Sequence, residues 1–151
     1  MSITARLSEL NITLPAAPAP AANYVPYVQS GDLLFVSGQI SSGPDGLITG
    51  RLGDDLDVAA GAGAARACGL ALIAQAQAAL GDLDRIVRVV KLTGFVNSTP
   101  DFTDQPEVVN GCSDLMVEVF GDKGRHARAA VSAAALPRGV AVEIEAIFQV
   151  A

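Results

Sequence analysis

The sequence lacks several residue types on which whole classes of function depend. It has no tryptophan, one histidine (His126) and two cysteines, Cys68 and Cys112, in 151 residues. Two distant cysteines cannot form a disulfide framework, and one histidine without a Cys-x-x-Cys pair disfavours a zinc site. We therefore predict a reduced, cytoplasmic protein without a bound metal. Cys112 allows two interpretations: a thiol of lowered pKa near a helix start or, preferably, a small buried residue.

Long basic blocks and long apolar runs are also missing. The formal net charge is −6, from 10 Lys and Arg against 16 Asp and Glu. Binding to phosphate backbones depends on clustered cations, so this composition disfavours a nucleic-acid-binding protein. No run of about 18 apolar residues and no signal-peptide core occurs, which predicts a soluble, unsecreted protein with no membrane span.

The composition is that of a folded globular chain. Half of the residues are apolar and 17% are charged, which predicts one domain over residues 1–151 with a substantial core. Residues 1–23 form an N-terminal extension, in which a short helix capped by Ser2 precedes a Pro/Ala arm, "PAAPAPAAN".

The order of turn signals and periodic segments predicts the fold class. A hairpin is expected around Ser30–Asp32, and the main helix is expected to begin at Asp57 and end at Gly81. Glycines inside that helix indicate close packing, for example against a sheet. "RIVRVVKLTGFV" allows a helix or a strand, and its β-branched residues favour the strand. A second helix and two strands joined across 136–139 give the order β-β-α-β-α-β-β, an α+β domain with helices on one sheet face.

The last two strands alternate in a way that raises the question of function. One face of the first carries Arg128, Ala130, Ser132 and Ala134, and one face of the second carries Glu143, Glu145 and Ile147. If the Val/Phe face of the second strand meets the helices, these charged residues line the opposite face. Such a face is either solvated, with a salt bridge worth ~0.2–1 kcal/mol, or a contact with another subunit. A tight hairpin would place Glu145, rather than Glu143, beside Arg128.

Other candidate residues are weaker. His126 follows Arg125 and is expected to be neutral, either as a hydrogen-bonded loop residue or in a functional role. Ser37 has no histidine near it in the sequence, which disfavours a serine nucleophile. Tyr24 and Tyr27 flank Pro26 and fit a pocket wall or a core edge.

Five motifs resemble those of the RidA/YjgF family of reactive imine/enamine deaminases. They are "PYVQSGDLLFVSGQI", "VVKLTGFVNSTPDF", "VNG", "HARAAV" and "LPRGVAVEIEAI", in family order over residues 24–150. The N-terminal extension and an insertion at "TDQPE" are typical of a longer branch of the family. Val25 stands where the family usually has glycine, and His126 replaces an aromatic-proline approach to the arginine motif.

The resemblance implies a chorismate-mutase-like α+β fold and a homotrimer with clefts between subunits. It implies that Arg128 holds a substrate carboxylate and that Glu143 positions or activates a water. The residues expected to line the cleft are Tyr27, Ser37, Gly38, Asn110 and Ala130.

The reaction that the resemblance implies is the hydrolysis of 2-imino acids, such as iminopyruvate, the tautomer of 2-aminoacrylate, to 2-keto acids and ammonia. Holding the carboxylate and delivering a water requires neither a metal nor an organic cofactor. Two alternatives remain: a trimer that binds small carboxylates without turnover, and a ribonuclease or translation inhibitor, which the acidic composition disfavours.

Overall fold

Five strands form the main sheet of the computed structural model, which describes residues 1–19 and 23–151. They are β1 (Tyr27–Ser30), β2 (Leu33–Ile40), β5 (Ile86–Asn97), β6 (Ala127–Ala133) and β7 (Val142–Val150); β3 (Ser42–Gly43) and β4 (Gly46–Leu47) form a small separate hairpin. The order in the sheet is β1-β2-β7-β5-β6. Only β5 and β6 pair in parallel among these neighbours, so the predicted mixed α+β architecture is confirmed.

Three α-helices begin and end close to where the sequence places them. They are α1 (Ile3–Glu9), α2 (Val58–Leu80) and α3 (Gln105–Phe120). The hydroxyl of Ser2 accepts the amide of Ala5, and the carboxylate of Asp57 caps α2. At the end of α2, Gly81 takes the positive φ that terminates helices at low cost.

The core lies between one face of the sheet and the helices α2 and α3. Alternate residues of β7 are buried there: Val142, Ile144, Ala146 and Phe148. They pack with Leu72 of α2 and Leu115 of α3, both fully buried. This is the helix-covered face of the sheet, and the predicted alternation of β7 is confirmed.

Two of the three glycines of α2 lie close to α3, rather than in the helix–sheet contact that we expected. A Cβ at Gly69 would collide with a side chain of α3, and a Cβ at Gly61 would collide with Leu52 and crowd α3. On the facing side, a Cβ at Gly111 would collide with the backbone of Ala62. Close approach of the two backbones therefore requires glycine at these positions, which offsets their cost to helix stability.

Among the described residues, α2 is the one helix whose length and apolar composition would suffice to cross a membrane. More than half of its apolar segment is buried in the protein. The core helix of a soluble protein has the same properties, so this is weak evidence for a membrane span.

The predicted hairpin between β6 and β7 is wrong, because β5 lies between these strands. The connection does not turn back tightly. Its backbone crosses the end of the sheet, where Ala141 pairs with Ile48 and Asn97, and Gly139 accepts the amide of Gly50. Arg138 takes a left-handed φ of 57° in this crossing. Hydrophobic alternation predicts which residues share a face of one strand, but not which strand lies beside it.

The N-terminal extension packs on the helix layer. The guanidinium of Arg6 donates to the carbonyl of Glu118 at the end of α3 (2.9 Å), and Leu7 is buried. Further along, the carbonyl of Pro18 accepts a hydrogen bond from the buried Gln75 side chain (2.6 Å). Residues 20–22 of the predicted arm lie outside the described residues.

Candidate active site

Arg128 lies on β6, on the helix-covered face, and its guanidinium reaches α3. Its Nη1 donates to Asn110 Oδ1 (2.8 Å) and Ser113 Oγ (3.1 Å), and its Nη2 donates to the carbonyl of Pro106 (3.2 Å). A guanidinium has five N–H donors, so Nε–H and one donor on Nη2 have no acceptor among the described residues. Two donors on neighbouring nitrogens match the two oxygens of a carboxylate.

These donors belong to an open cleft of about 310 Å³. We call it the Arg128 cleft; its lining residues are Asn110, Ser113, Asp114, Val117, Arg125, His126 and Arg128. Ser113 and the carbonyl of Pro106 are contacts of Arg128 that the sequence analysis missed. The three-residue spacing of Asn110 and Ser113, which puts both on one helix face, was the available signal.

His126 is tied to the same cleft. Its Nδ1 is 2.6 Å from the carbonyl of Gly124, and its Nε2 is 2.9 Å from Ser113 Oγ. A carbonyl can only accept, so we assign the proton to Nδ1, and Nε2 accepts the Ser113 hydroxyl. Burial lowers the pKa of His126, against the raising effect of the Gly124 carbonyl. These contacts agree with the predicted neutral imidazole.

Glu143 lies on β7, on the other face of the sheet. It lines a cavity of about 270 Å³. We call it the Glu143 cavity; its walls are mostly apolar, with Tyr24, Pro26, Ile40 and Leu47 among them, and they also include Gly38 and Arg138. No hydrogen bond or ion pair joins the carboxylate to another described residue. Burial raises the pKa of Glu143, and the nearby Glu145 adds to this shift.

Gly38 gives the Glu143 carboxylate its space. The pairing of β2 with β7 shifts register between Val36 and Gln39, so Ser37 and Gly38 form an irregular segment. A Cβ at Gly38 would collide with the carboxylate of Glu143. The predicted neighbourhood of Gly38 and Glu143 is thus present within one chain.

The other predicted cleft residues have different surroundings. The Ser37 hydroxyl donates to the carbonyl of Val25 (2.9 Å), which fixes the segment before β1. Tyr27 pairs with Val36 and packs against the core, so the aromatic wall of the Glu143 cavity among the described residues is Tyr24. Ala130 lies opposite Gly94 and also packs against the core.

Arg128 and Glu143 therefore lie on opposite faces of the sheet. The prediction that Arg128 shares the charged face with the glutamates is wrong for this chain. The partner of Arg128 on β5 is Leu92, whose partner on β7 is the buried Ala146. The predicted register that favoured Glu145 is also wrong, since it assumed that β6 pairs with β7.

The face that carries Glu143 is uncovered by this chain, and it combines many apolar residues with a polar group formed by Lys91, Thr93 and Glu145. We call it the open face; it includes Val28, Phe35, Ala129, Val131, Glu143, Glu145 and Ile147. Val28, Phe35 and Val131 are each exposed over more than two fifths of their surface (52%, 42% and 43%). An exposed apolar patch of this kind marks an interaction surface.

The cysteines lie elsewhere, between α2, α3 and the sheet. Both are free and buried, and burial raises the pKa of Cys112 to about 12. The lowered pKa that we considered for Cys112 is therefore wrong, and the buried alternative holds. Among the described residues, no group of three or more His, Cys, Asp or Glu side chains could hold a metal ion.

Comparison with known proteins identifies the family. The sequence model of the family described as Endoribonuclease L-PSP matches residues 14–150. The chain belongs to this family. The match confirms the resemblance to RidA/YjgF proteins, as does the crystal structure of RidA from the Antarctic bacterium Psychrobacter sp. PAMC 21119, which has a TM-score of 0.61 and 28% identity, covering 91% of this chain and 98% of that one.

Individual relatives and solved structures match most of the chain and differ mainly in sequence identity. The protein TCP17 of Trypanosoma cruzi is 56% identical over 149 residues, covering 97% of this chain and 93% of TCP17. The crystal structure of Atu1372 from Agrobacterium tumefaciens, a protein of unknown function, has a TM-score of 0.91 and 50% identity, covering 99% of this chain and 92% of that one. The crystal structure of E. coli TdcF with bound serine has a TM-score of 0.64 and 27% identity, covering 91% of this chain and 98% of that one.

Proposed function

We propose that this protein hydrolyses reactive 2-imino acids to 2-keto acids and ammonia, at a site that two copies of the chain form together. One copy supplies the Arg128 cleft and the next supplies the Glu143 cavity, in a homotrimer. The observation that carries this proposal is the separation of two complementary groups, a carboxylate-binding fork and an elevated-pKa carboxylate, onto opposite faces of one sheet.

The open face supports an assembly in which a neighbour completes the site. Its apolar residues would lose contact with water if another copy covered it, and each Å² of apolar surface buried is worth roughly 25 cal/mol. Glu143 lies on this same face, beside the bulge at Ser37 and Gly38. A cyclic arrangement places a different surface of each copy against the open face of the next, so both kinds of half-site can meet.

The chemistry assigns one task to each half-site. Arg128 holds the substrate carboxylate through Nε–H and Nη2–H, which places the imine carbon at a fixed distance from Glu143. Glu143 takes a proton from water as the water oxygen bonds to the imine carbon, and it passes this proton to the imine nitrogen. In the resulting carbinolamine the hydroxyl proton moves to the amine nitrogen, the C–N bond breaks with its electron pair leaving on ammonia, and the C–O bond becomes C=O. Burial raises the pKa of Glu143, and the substrate carboxylate bound to Arg128 offsets the opposing effect of the guanidinium, so Glu143 is a better base for this step than an ordinary carboxylate.

Binding without turnover is a second candidate function. TdcF, a relative of similar fold, holds a bound serine, which carries a carboxylate and an amine on the same carbon. The Arg128 fork suits such a ligand whether or not a reaction follows. Ribonuclease activity, although it appears in the family description, has less support, since the net charge of −6 disfavours nucleic acid.

Keto-acid release from imines generated in place by an amino-acid oxidase tests the proposal. Semicarbazide traps imine that escapes hydrolysis, and several amino acids supply imines of different side chains. We expect wild type to lower trapping and Arg128→Ala to abolish the effect. Arg66→Ala, which removes an exposed arginine paired with Glu118 on the helix layer, is the matched control and should retain full activity.

Equal trapping with and without the protein, for every imine, would contradict the deaminase proposal. If a carboxylate such as serine still bound to wild type and not to Arg128→Ala, the binding function would replace it.

A further inference from the structure

A chain of hydrogen bonds runs from the backbone to the guanidinium of Arg128. It links the Gly124 carbonyl, His126, Ser113 and Arg128 over distances of 2.6, 2.9 and 3.1 Å. We propose that Ser113 and His126 are positioning residues, which hold Arg128 in the orientation that receives the substrate carboxylate. This inference rests on the proposed function, because it assumes that Arg128 binds the substrate.

A neutral His126 fixes the direction of each hydrogen bond in this series. Since the Gly124 carbonyl can only accept, a neutral ring donates from Nδ1 and presents a lone pair at Nε2. The Ser113 hydroxyl donates to that lone pair, so its own lone pairs turn toward Nη1 of Arg128. Asn110 accepts a hydrogen bond from the other N–H of Nη1. Both N–H groups of this nitrogen are therefore bonded to side chains of the protein. The Nε–Nη2 side is thereby left for a ligand.

His126 sets the orientation of the Ser113 hydroxyl in this series of hydrogen bonds. A serine without an oriented acceptor could rotate its hydroxyl and present the hydrogen, rather than a lone pair, to the guanidinium. Burial lowers the pKa of His126, so the neutral ring with its accepting Nε2 is the form present at neutral pH. Both side chains are half-buried in the wall of the Arg128 cleft, which limits competition from water.

The same two residues have the donor and acceptor pattern of a serine nucleophile and its base. The contact with Arg128 favours the positioning role. An alkoxide at Ser113 would form an ion pair with the Nη1 side of the guanidinium, which would lower its reactivity as a nucleophile. Ser113 also lies within α3, with its Oγ already accepting from Nη1.

Steady-state kinetics of imine hydrolysis with three variants tests the inference. Ser113→Ala removes the hydroxyl, His126→Phe removes the acceptor, and His126→Gln keeps an acceptor in its amide oxygen. We expect Ser113→Ala to raise KM at least about tenfold, the usual effect of one lost hydrogen bond to a charged group. His126→Phe, which removes the acceptor of the Ser113 hydroxyl, should raise KM in the same direction. We expect kcat to change less than about twofold, because the Glu143 half of the site is untouched. His126→Gln should keep a KM near that of wild type.

Three results would overturn the positioning role. They are an unchanged KM in Ser113→Ala, an equal defect in His126→Gln and His126→Phe, and covalent labelling of Ser113 by phenylmethylsulfonyl fluoride, which would make it a nucleophile.

A measurement without turnover separates this inference from the proposed function. His126 is the sole histidine, so its imidazole nitrogens give an unambiguous NMR signal. We expect the Nδ1–H tautomer in wild type, and we expect pyruvate, used as a carboxylate probe, to shift the Nε2 signal in wild type but not in Ser113→Ala. That result in a protein without imine hydrolysis would sink the deaminase and keep the positioning role. A pyruvate effect that persists in Ser113→Ala, or no effect of pyruvate at all, would sink the positioning role.

Discussion

The charged groups of the Arg128 cleft and the Glu143 cavity differ in how many hydrogen bonds they make. Arg128 makes three hydrogen bonds within its own chain, to Asn110, Ser113 and Pro106. Glu143 makes none with a described residue and has mainly apolar neighbours, so burial raises its pKa. The first group is held in place by neighbouring acceptors, whereas the second is a carboxylate without a hydrogen-bond partner among the described residues.

This difference indicates what each half contributes to a reaction. A cation that binds a carboxylate gains from being held in place, since less side-chain entropy is lost on binding. A general base gains from poor solvation, since a raised pKa strengthens it. If the Arg128 cleft of one copy meets the Glu143 cavity of the next, each chain can fold with Arg128 held in place and with Glu143 poorly solvated. Assembly then brings the two groups together.

The largest expected effect comes from mixing two inactive variants. Arg128→Ala and Glu143→Gln each damage one half of every site, so we expect neither alone to hydrolyse imines. Co-expressed or refolded together, they should form some sites with both halves intact. Random assortment in a trimer gives about one such site in four, so roughly a quarter of wild-type activity should return.

Simple mixing of the folded variants without subunit exchange is the control for this experiment and should give no recovery. If co-assembled variants also stayed inactive while each bound its neighbours normally, the two half-sites would not meet between copies, and the proposed shared site would be wrong.

The next effect concerns the open face. Val131→Asp places a charge at an apolar position that is 43% exposed in the single chain. If another copy covers this face, the buried charge would cost several kcal/mol and the trimer should dissociate, with loss of activity. Size-exclusion chromatography with light scattering measures this. Ala78→Asp, at an exposed position on the opposite side of the protein in α2, should change neither mass nor activity; an unchanged mass for Val131→Asp would argue against this interface.

Gly38→Ala should have a smaller but still clear effect. The added Cβ would meet the Glu143 carboxylate, so the glutamate must move away from its place in the cavity. We expect kcat to fall at least about tenfold with little loss of stability, because the contact is with the movable end of the Glu143 side chain. Gly31→Ala, in the β1–β2 turn where a Cβ meets nothing within 4 Å but φ is +61°, should lose stability and keep kcat. A wild-type kcat in Gly38→Ala would mean that the observed position of Glu143 is not the one used in the reaction.

Much of the fold could be predicted from the sequence because its signals are local. The caps Ser2 and Asp57, the terminating Gly81 and the alternation of β7 depend on neighbours within a few residues. The strand order depends on distant pairings. Nothing local distinguishes a β6–β7 hairpin from a crossing over the end of β5, and the left-handed Arg138 in that crossing has no sequence signal comparable to glycine.

The candidate site also combines residues that could be predicted from local motifs with an arrangement that depends on distant strand pairing. Family motifs indicated Arg128, Glu143, Gly38 and Asn110, but residue alternation could not show that Arg128 and Glu143 lie on opposite faces. That arrangement follows from the parallel pairing of β6 with β5. Ser113 could not be predicted because a serine within a helix carries no local signal of function. Its contacts with Arg128 and His126 form only because α3 packs beside β6.

The smallest expected effect is on stability as a function of pH. The pKa of Glu143 in the folded chain lies above its ordinary value of 4.5. Below that value both folded and unfolded chains are protonated, and the group does not oppose folding. As pH rises through 4.5, the unfolded chain loses its proton first, so stability falls until the folded pKa is passed and the penalty stays constant. Glu143→Gln should therefore unfold at higher urea than wild type at neutral pH and lose this advantage below pH 4.5.

Arg128 of a neighbouring copy would change the size of that gain. A guanidinium beside the carboxylate lowers its pKa and so offsets the burial penalty. The stabilisation by Glu143→Gln, less than ~1 kcal/mol for this half-exposed group, should then be larger in an Arg128→Ala background than in wild type. Equal gains in both backgrounds would mean that the two charges do not interact, since a double-mutant cycle measures their coupling directly. A measurable coupling would place the carboxylate-binding fork and the base in one site, which a single chain cannot do across its own sheet.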